Sequence, residues 1–270
     1  MDQWTGRDGL VSNNLTSVSQ SSSKFLWITS FNGIHRFDGV NFKLYDKTSI
    51  PLLSSNAFYK MYEDSKGNLW FASQSSGILK LNESRYSLVL PEGKNSLSVR
   101  CIVEDKSGRL WVGTNNEGVY IMQDSILVRQ DYDEFSMSHI MDILPGLDGE
   151  LWIATDGDGL LHYRDGNIEA FTVQKGLQHN TVMRLISDAK GTIYAGTSNG
   201  ISIIKNQMPA KETVLAGHEV NDMLIDDFSN LWIASEQGLF RVNLLTWELD
   251  SLTDEMGLPG SQVSALCFDH

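Results

Sequence analysis

The chain has 270 residues, of which 41% are hydrophobic and 20% charged, and its formal net charge at pH 7 is −13. This composition excludes wholesale disorder and allows a substantial buried core, while no run approaches the roughly 20 apolar residues of a membrane-spanning helix. The acidic excess argues against contact with nucleic acid, because neutralising phosphates requires clustered Lys and Arg.

A five-residue motif recurs six times along the chain. Its first copy is Leu26-Trp27-Ile28-Thr29-Ser30. The aromatic residues of the six copies are Trp27, Trp70, Trp111, Trp152, Tyr194 and Trp232. They are 38 to 43 residues apart, and self-similarity at such a period indicates a repeat architecture.

Each repeat carries the same features in the same order: two apolar residues, an Asp-x-x-Gly, the aromatic motif, a second Gly and a final apolar stretch. In the second repeat, the two apolar residues are Phe58 and Met61, and the hairpin residues are Asp64 and Gly67. The motif aromatic is Trp70, and the second Gly is Gly77. The Asp-x-x-Gly predicts a tight hairpin, in which Asp accepts hydrogen bonds from its own turn and Gly supplies a positive φ. Helical periodicity is absent. Four antiparallel strands in ~40–45 residues predict an all-β fold, a β-propeller of four-stranded blades.

Some copies depart from this pattern. Ser21 and Gly146 stand where the other repeats have Asp, and Lys24 and Ser229 stand where they have Gly. The residue two positions after each aromatic is small in every copy, which lets neighbouring sheets approach closely. We expect the repeated aromatic residues to pack between blades and to serve the fold.

The repeats divide residues 1–270, taken as a single propeller domain, into six complete blades at about 9–50, 51–93, 94–134, 135–175, 176–215 and 216–256. Residues 257–270 resemble the start of a seventh unit, and residues 1–8 resemble the end of one. We therefore expect a partial seventh blade with an N-terminal outer strand and a C-terminal inner strand. This arrangement predicts a piece of a longer protein, a truncated seven-bladed ring.

Three segments of the first repeat carry a family resemblance: Gly9-Leu10-Val11-Ser12-Asn13-Asn14, Leu26-Trp27-Ile28-Thr29 and Gly33-Ile34-His35-Arg36-Phe37-Asp38-Gly39. They resemble the two-component regulator propeller repeat, and the resemblance extends over all six units. Tyr194 in place of Trp is a departure in the fifth unit. Only the first unit has the full Arg-Phe-Asp-Gly ending.

The resemblance implies a bacterial sensor domain in the periplasmic or extracytoplasmic half of a membrane receptor. Such receptors signal to a histidine kinase, a diguanylate cyclase or a DNA-binding output, and some members bind oligosaccharides. A homodimer of the full-length receptor is expected on the same ground. The first residues show no signal peptide. This observation agrees with a fragment of a longer receptor, and a cytoplasmic member of the family is the alternative.

Several short segments resemble catalytic or metal-binding motifs but lack the residues or the structural context that those motifs need. Gly196-Thr197-Ser198-Asn199-Gly200 matches a nucleophile elbow, but it lies at an ordinary strand end, whereas an elbow needs a strand turning into a helix. Asp156-Gly157-Asp158-Gly159 resembles a calcium loop, but Asn167 stands where that loop needs Glu. We expect no cofactor and no metal site, and we expect Cys101 and Cys267 to be free thiols.

Positions that vary among the repeats are candidates for ligand binding, because the blade does not require them. In and before the first strands the candidates are Tyr59, Lys60, Arg100, His139, Arg184 and Asp222. In the loops after the aromatic strands they are Asn116, Asp156, Asp158 and Asn199. Their mixture of charge, amides and an aromatic ring predicts a small polar ligand such as an oligosaccharide or a peptide at the mouth of the propeller channel.

The main hypothesis is therefore a non-catalytic, ligand-binding sensor. One alternative is a propeller lyase or hydrolase, for which the sequence offers only His139 near Asp142 and Asp156 as an acid–base set. The other is a protein-interaction scaffold, which an exposed apolar patch would favour.

Overall fold

A computed structural model describes residues 3–82, 85–132, 139–146, 149–252, 258, 260 and 262–268. Within these residues, strands form six four-stranded sheets, and each sheet takes its strands in chain order. The paired strands run antiparallel in every ladder of the described residues. Each sheet is a blade of a β-propeller, so the all-β class and the six complete blades predicted from the repeat are confirmed.

The strand bounds follow the repeat units. Blade 1 contains β1 (Leu15–Gln20), β2 (Leu26–Ser30), β3 (Gly33–Phe37) and β4 (Phe42–Tyr45). Blade 2 contains β5 (Phe58–Glu63), β6 (Leu69–Ser73), β7 (Ile78–Asn82) and β8 (Arg85–Val89). Blade 3 contains β9 (Val99–Glu104), β10 (Leu110–Thr114), β11 (Val119–Gln123) and β12 (Ile126–Arg129). Blade 4 contains β13 (Ile140–Pro145), β14 (Leu151–Thr155), β15 (Leu160–Arg164) and β16 (Asn167–Phe171). Blade 5 contains β17 (Val182–Ser187), β18 (Ile193–Thr197), β19 (Gly200–Lys205) and β20 (Met208–Val214). Blade 6 contains β21 (Val220–Ile225), β22 (Asn230–Ser235), β23 (Gly238–Asn243) and β24 (Leu249–Leu252).

The chain forms two compact units, one of residues 1–140 with 267–270 and the other of residues 141–266. In the first unit, β1 packs against β5 and β5 against β9. The core there includes Trp27, Phe58 and Phe71, all at most 4% exposed. In the second unit, β14 packs against β17 and β17 against β21. Its core includes Trp152 and Tyr194, which are 1% and 2% exposed. Five of the six motif aromatics are therefore buried in the core, as predicted, and Trp232 is half-buried.

In the Asp-x-x-Gly hairpins, the Asp side chain forms hydrogen bonds both to its own turn and to the motif aromatic residue. In blade 3, the carboxylate of Asp105 accepts backbone hydrogen bonds from Ser107 and Arg109, at 2.8 and 3.1 Å. Its second oxygen accepts the indole N–H of Trp111 at 2.8 Å. The same indole contact occurs in blades 2 and 6. Gly108 has a φ of 79°, which confirms the predicted turn.

The departures from the hairpin pattern keep its geometry. Lys24 and Ser229 stand in place of Gly, and both adopt positive φ angles, 67° and 61°. Ser21 replaces Asp in blade 1, and its hydroxyl accepts the indole N–H of Trp27 at 3.2 Å. A hydroxyl is thus sufficient to satisfy this buried donor.

In blade 4, a different pair of side chains fills the space left by the missing Asp. A Cβ added to Gly146 would lie 2.5 Å from Cγ of Glu150, so the Glu150 side chain fills the space beside the glycine. Its carboxylate lies 2.8 Å from Nε2 of His162, and the His162 ring stacks on Trp152 at 4.0 Å. Among the described residues, the indole N–H of Trp152 is buried without a hydrogen-bond partner.

The small residue after each aromatic allows close packing between sheets. A Cβ on Gly113 would lie 2.5 Å from Cγ2 of Ile140, and one on Gly196 would lie 2.5 Å from Cγ1 of Val220. Both distances are far inside van der Waals contact. The predicted reason for the small residue is therefore confirmed at these two positions.

Two further structural predictions are confirmed. The elbow-like segment lies in the β18–β19 hairpin, where the Thr197 hydroxyl donates to the carbonyl of Gly200 at 2.8 Å. Cys101 and Cys267 do not form a disulfide. Residues 3–5 and 262–268 form no regular strand, although the Val263 N–H donates to the Ser235 carbonyl. The shared seventh blade stays a prediction.

We predict an acid-dependent stability from Asp105. Burial raises the pKa of this carboxyl, but hydrogen bonds from Ser107, Trp111 and Arg109 outweigh burial and lower the pKa from 3.8 to about 2. A lowered native pKa stabilises the fold above the unfolded pKa, and this contribution is lost as the pH falls through about 2. Asp105→Asn should therefore cost about 2 kcal/mol of unfolding free energy near pH 6. The difference from the parent protein should shrink below pH 4 in urea denaturation. A constant difference at all pH values would contradict the assignment.

A second prediction compares two glycines of blade 4. Gly159 has a φ of +87°, and an added Cβ would lie 2.1 Å from the carbonyl oxygen of Phe171. Gly166 has a φ of +81° with open space around the added Cβ. Gly159→Ala should cost about 3 kcal/mol or more, whereas Gly166→Ala should cost only the left-handed penalty of about 1–2 kcal/mol. Urea denaturation midpoints of the two variants measure the difference, and equal costs would show that the close approach is unimportant.

Candidate functional site

The predicted binding residues lie on the first strands and on the turns between second and third strands. In the first unit, Tyr59 and Lys60 lie on β5, Arg100 on β9, Asn116 in the β10–β11 turn and His139 directly before β13. In the second unit, Asp156 and Asp158 lie in the β14–β15 turn, Arg184 on β17, Asn199 in the β18–β19 turn and Asp222 on β21. Each unit is therefore described separately.

A β-bulge recurs at one position of the first strand. In β5, Phe58 and Lys60 pair with the adjacent residues Ser73 and Ala72, so Tyr59 is the extra residue. The same shift in β9 makes Arg100 the extra residue. The shift also occurs in β1, β17 and β21. A bulge re-aims a side chain and leaves it outside the ladder. The bulge thus explains why this column varies freely among the repeats.

Three side chains from three blades meet beside these bulges. The guanidinium carbon of Arg100 lies 4.3 Å from the ring centroid of Tyr59. The ring of Phe31, from the β2–β3 turn, meets Tyr59 edge-on with centroids 5.8 Å apart. Phe31 is 52% exposed, and Tyr59 and Arg100 are half-buried. We call these three residues the Phe31–Tyr59–Arg100 row.

Hydroxyl groups of blade 1 hold the backbone beneath the row. The hydroxyl of Thr16 donates to the carbonyl of Phe58 at 2.8 Å, and that of Thr29 donates to the carbonyl of Tyr59 at 3.3 Å. The hydroxyl oxygens of Thr16 and Thr29 lie 2.8 Å apart, so Thr29 donates at any one time either to Thr16 or to the Tyr59 carbonyl. The bulge that carries Tyr59 is therefore fixed by the neighbouring blade, which preorganises the ring.

Two other predicted residues of the first unit lie outside the row. Asn116 and His139 are exposed, and no hydrogen bond within the described part of the chain joins either of them to the row. Lys60 is half-buried and adjoins the Tyr59 bulge. The structure thus brings Tyr59 and Arg100 into contact, and binding roles for Lys60, Asn116 and His139 stay predictions.

In the second unit, Asp222 has a structural contact. Its Oδ2 accepts the backbone N–H of Leu266 at 2.9 Å, and its Oδ1 lies 3.5 Å from Nε of Arg184. Asp142 occupies the same column in blade 4 and accepts the backbone N–H of Leu185 at 3.2 Å. Each carboxylate therefore binds the backbone of a following segment. This role accounts for both residues without a ligand.

The turn residues of the second unit also form structural contacts. Asp156 accepts the hydroxyl of Thr181 at 3.0 Å. The backbone N–H of Asp158 donates to the hydroxyl of Thr155 at 3.1 Å. Asn199 accepts the backbone N–H of Gly217 at 3.0 Å. The contacts of Asp156 and Asn199 join their turns to neighbouring loops, and that of Asp158 lies within its own turn. Binding roles for the three residues stay predictions.

Sequence reasoning left Phe31 out of the ten binding residues. The chain places it in the turn position that Asp156 occupies in blade 4, and an exposed aromatic ring at a turn was its available signal. No group of three or more His, Cys, Asp or Glu suited to a metal ion occurs among the described residues. In the same part of the chain, no helix has the length and apolar character needed to cross a membrane.

Comparison with known families agrees with the repeat. The family model for the two component regulator propeller matches residues 52–75 and 93–116. Each match contains a first strand, an Asp-x-x-Gly hairpin and the Trp-bearing second strand. Residues 52–75 and 93–116 are thus similar to two component regulator propeller repeats. No curated protein matches its sequence.

Solved structures share the fold over nearly the whole chain. The extracellular domain of one hybrid two component system from B. thetaiotaomicron has 21% sequence identity and a TM-score of 0.83, covering 97% of this chain and 38% of its own. A second such domain from the same organism has 18% identity and a TM-score of 0.80, covering 95% and 38%. This chain therefore spans about two-fifths of the length of these extracellular domains.

A propeller enzyme is also similar. A virginiamycin B lyase from Staphylococcus aureus, solved with quinupristin, has 14% identity and a TM-score of 0.76, covering 95% of this chain and 89% of its own. At this level of identity, the likeness concerns the fold alone.

The contact of Asp222 with Leu266 gives a prediction about local stability. Asp222→Ala removes the acceptor of the Leu266 N–H, whereas Asp222→Asn retains an acceptor oxygen. Because a half-buried hydrogen bond to a carboxylate contributes about 1 kcal/mol, hydrogen exchange at the Leu266 amide should accelerate about fivefold in the Ala variant. The Asn variant should show a smaller change.

Asp227→Ala is the matched control, because Asp227 is an exposed residue of the β21–β22 hairpin. Its exchange at Leu266 should equal that of the parent protein. Unchanged exchange at Leu266 in Asp222→Ala would show that the carboxylate does not hold this segment.

Proposed function

We propose that this chain is the ligand-binding part of a bacterial sensor propeller, and that the Phe31–Tyr59–Arg100 row is its recognition surface. The observation that carries the proposal is the stacking of Arg100 on Tyr59 at 4.3 Å. This contact joins two blades through side chains that neither blade needs for its own sheet.

The row suits a polar ligand that carries a ring. The faces of Phe31 and Tyr59 pack against the apolar face of a sugar, and the Arg100 guanidinium donates hydrogen bonds to hydroxyl or carboxylate oxygens. Stacking on Tyr59 holds the guanidinium in place at low entropic cost. An oligosaccharide is therefore the ligand class that this surface favours, and a peptide is the alternative class.

A binding role agrees with the side chains of the row better than catalysis does. The row contains no carboxylate and no imidazole, so it offers no general acid–base pair of the usual kind. Asp142, which the enzyme alternative requires, already accepts the Leu185 N–H. We therefore infer a non-catalytic sensor.

The architecture of the similar proteins supports the remaining parts of the proposal. Two of them are extracellular domains of hybrid two component systems. By analogy, this chain acts outside the cytoplasm, and ligand binding in a longer receptor changes the geometry of the propeller or of a homodimer. The output is a kinase, a cyclase or a DNA-binding domain.

Calorimetric titration with a panel of neutral and acidic oligosaccharides and short peptides tests this proposal. A ligand of the panel should bind the parent protein and raise its unfolding midpoint by about 2–4 °C at saturating concentration. Tyr59→Ala and Arg100→Ala should each weaken that binding about tenfold or more, because each removes one side of the stacked pair. The double variant should lose no more than either single variant.

Matched controls use residues of the same types elsewhere. Phe228→Ala, at an 81% exposed position, and Arg129→Ala, on the outer strand β12, should leave affinity unchanged. Binding that survives both Tyr59→Ala and Arg100→Ala would refute the row as the site. A hit that the protein converts into a product would favour the enzyme instead.

A further inference from the structure

A cleft of about 560 Å³ lies between blades 1 and 2, within the first unit. Aromatic rings and two cations make up much of its lining: Phe25, Trp27, Tyr45, Tyr86, Arg36 and Lys43. It shares no residue with the Phe31–Tyr59–Arg100 row, so the inference below does not rest on the proposed function.

The two cations occupy an unusual position in the sheet. Arg36 on β3 and Lys43 on β4 lie directly opposite each other in the ladder. Like charges directly opposite each other destabilise a sheet. This pair creates a local excess of positive charge beside the cleft, although the net charge of the whole chain is −13.

The equivalent pairs of blades 4 and 6 contain an acid. Arg36 lies opposite Trp27 of its own sheet, and Arg241 lies opposite Trp232 in blade 6. Arg241, however, faces Asp250 on the other side and forms an ion pair with it. Lys43 of blade 1 thus occupies the position at which blade 6 has Asp250, the counter-ion of Arg241.

Blade 4 repeats the arrangement with an acid. His162 lies opposite Trp152 on one side and opposite Glu169 on the other. Blade 2 places Lys80 opposite Trp70 and opposite Ser87. Lys43 therefore makes blade 1 different from each of these sheets.

The guanidinium of Arg36 is also incompletely satisfied. Its Nε is buried without a hydrogen-bond partner among the described residues, while its guanidinium carbon stacks 4.2 Å from the Phe25 ring centroid. Within that part of the chain, neither Arg36 nor Lys43 has a carboxylate within the 4.0 Å of an ion pair. A buried guanidinium N–H without an acceptor costs free energy, and an oxyanion in the cleft would supply the acceptor.

The nearby acids are already engaged elsewhere. The two oxygens of Glu63 accept the N–H of Ser22 at 2.7 Å and its hydroxyl at 2.5 Å. Asp38 accepts the backbone N–H groups of Val40 and Asn41 at 2.9 and 2.7 Å. Glu63 is therefore held by the β1–β2 hairpin of the neighbouring blade, and Asp38 by its own turn.

We propose that this cleft binds a carboxylate carried on a ring. Arg36 and Lys43 receive the carboxylate, and the half-buried rings of Phe25 and Tyr86 contact the body of the ligand. The cleft volume accommodates a ligand of one or two rings. Sugar acids and aromatic acids share this chemistry, and the experiment distinguishes them.

Thermal unfolding with added sodium glucuronate or sodium benzoate, against sodium chloride at equal ionic strength, tests the proposal. At least one of the two carboxylates should raise the midpoint saturably by about 2–4 °C beyond sodium chloride. Glucuronate as the stronger ligand identifies a sugar acid, and benzoate as the stronger ligand identifies an aromatic acid. Tryptophan fluorescence should titrate over the same concentrations, since Trp27 lines the cleft.

Two variants and one control locate the effect. Lys43→Asp places an acid opposite Arg36, as in blade 6, so it should raise the midpoint without ligand and abolish the response to carboxylates. Arg36→Gln should abolish the response as well. Lys80→Gln, a loss of charge at the equivalent position of blade 2, should leave the response unchanged.

Three outcomes would overturn the proposal. The first is a parent protein that responds no more to either carboxylate than to sodium chloride. The second is a response that persists in both Lys43→Asp and Arg36→Gln. The third is an equal response to sodium sulfate, which would show that the ring contributes nothing. Loss of binding at the row through Arg100→Ala should leave the response at this cleft intact.

Discussion

The structure depends on the burial of one aromatic ring per blade between sheets. Each ring lies on the second strand and is buried in blades 1 to 5 and half-buried in blade 6. The small residue two positions later lets the neighbouring sheet approach, as at Gly113 against Ile140. Burial of a ring of this size contributes several kcal/mol, but its indole N–H needs an acceptor. The hairpin Asp supplies that acceptor, so one carboxylate serves both the turn and the core.

Blade 4 shows how strict this constraint is. With Gly146 in place of Asp, the Trp152 N–H has no acceptor among the described residues, and a Glu150–His162 pair fills the adjoining space. The blade keeps the ring and its stacking while giving up the hydrogen bond. Ring burial thus outweighs the satisfaction of a single donor.

Function uses the positions that this constraint leaves free. The bulge in the first strand releases one residue from the ladder in blades 1, 2, 3, 5 and 6, and Tyr59 and Arg100 are two such residues. The third and fourth strands offer a second set of free positions, of which Arg36 and Lys43 are examples. A repeat protein can therefore vary both sets without changing the packing between its blades.

The sequence by itself determined the all-β class, the number of complete blades and the hairpin chemistry, because these repeat at a fixed period. It also placed Tyr59 and Arg100 among the free positions, because they vary where the blade does not. Only the tertiary structure showed that Phe31 joins them, since the three residues lie on different blades and meet only when the sheets pack. Likewise, the structural use of Asp222 and the opposition of Arg36 and Lys43 follow from strand register and packing across the chain. Such contacts depend on residues far apart in sequence, and a local repeat pattern carries no information about which of them will meet.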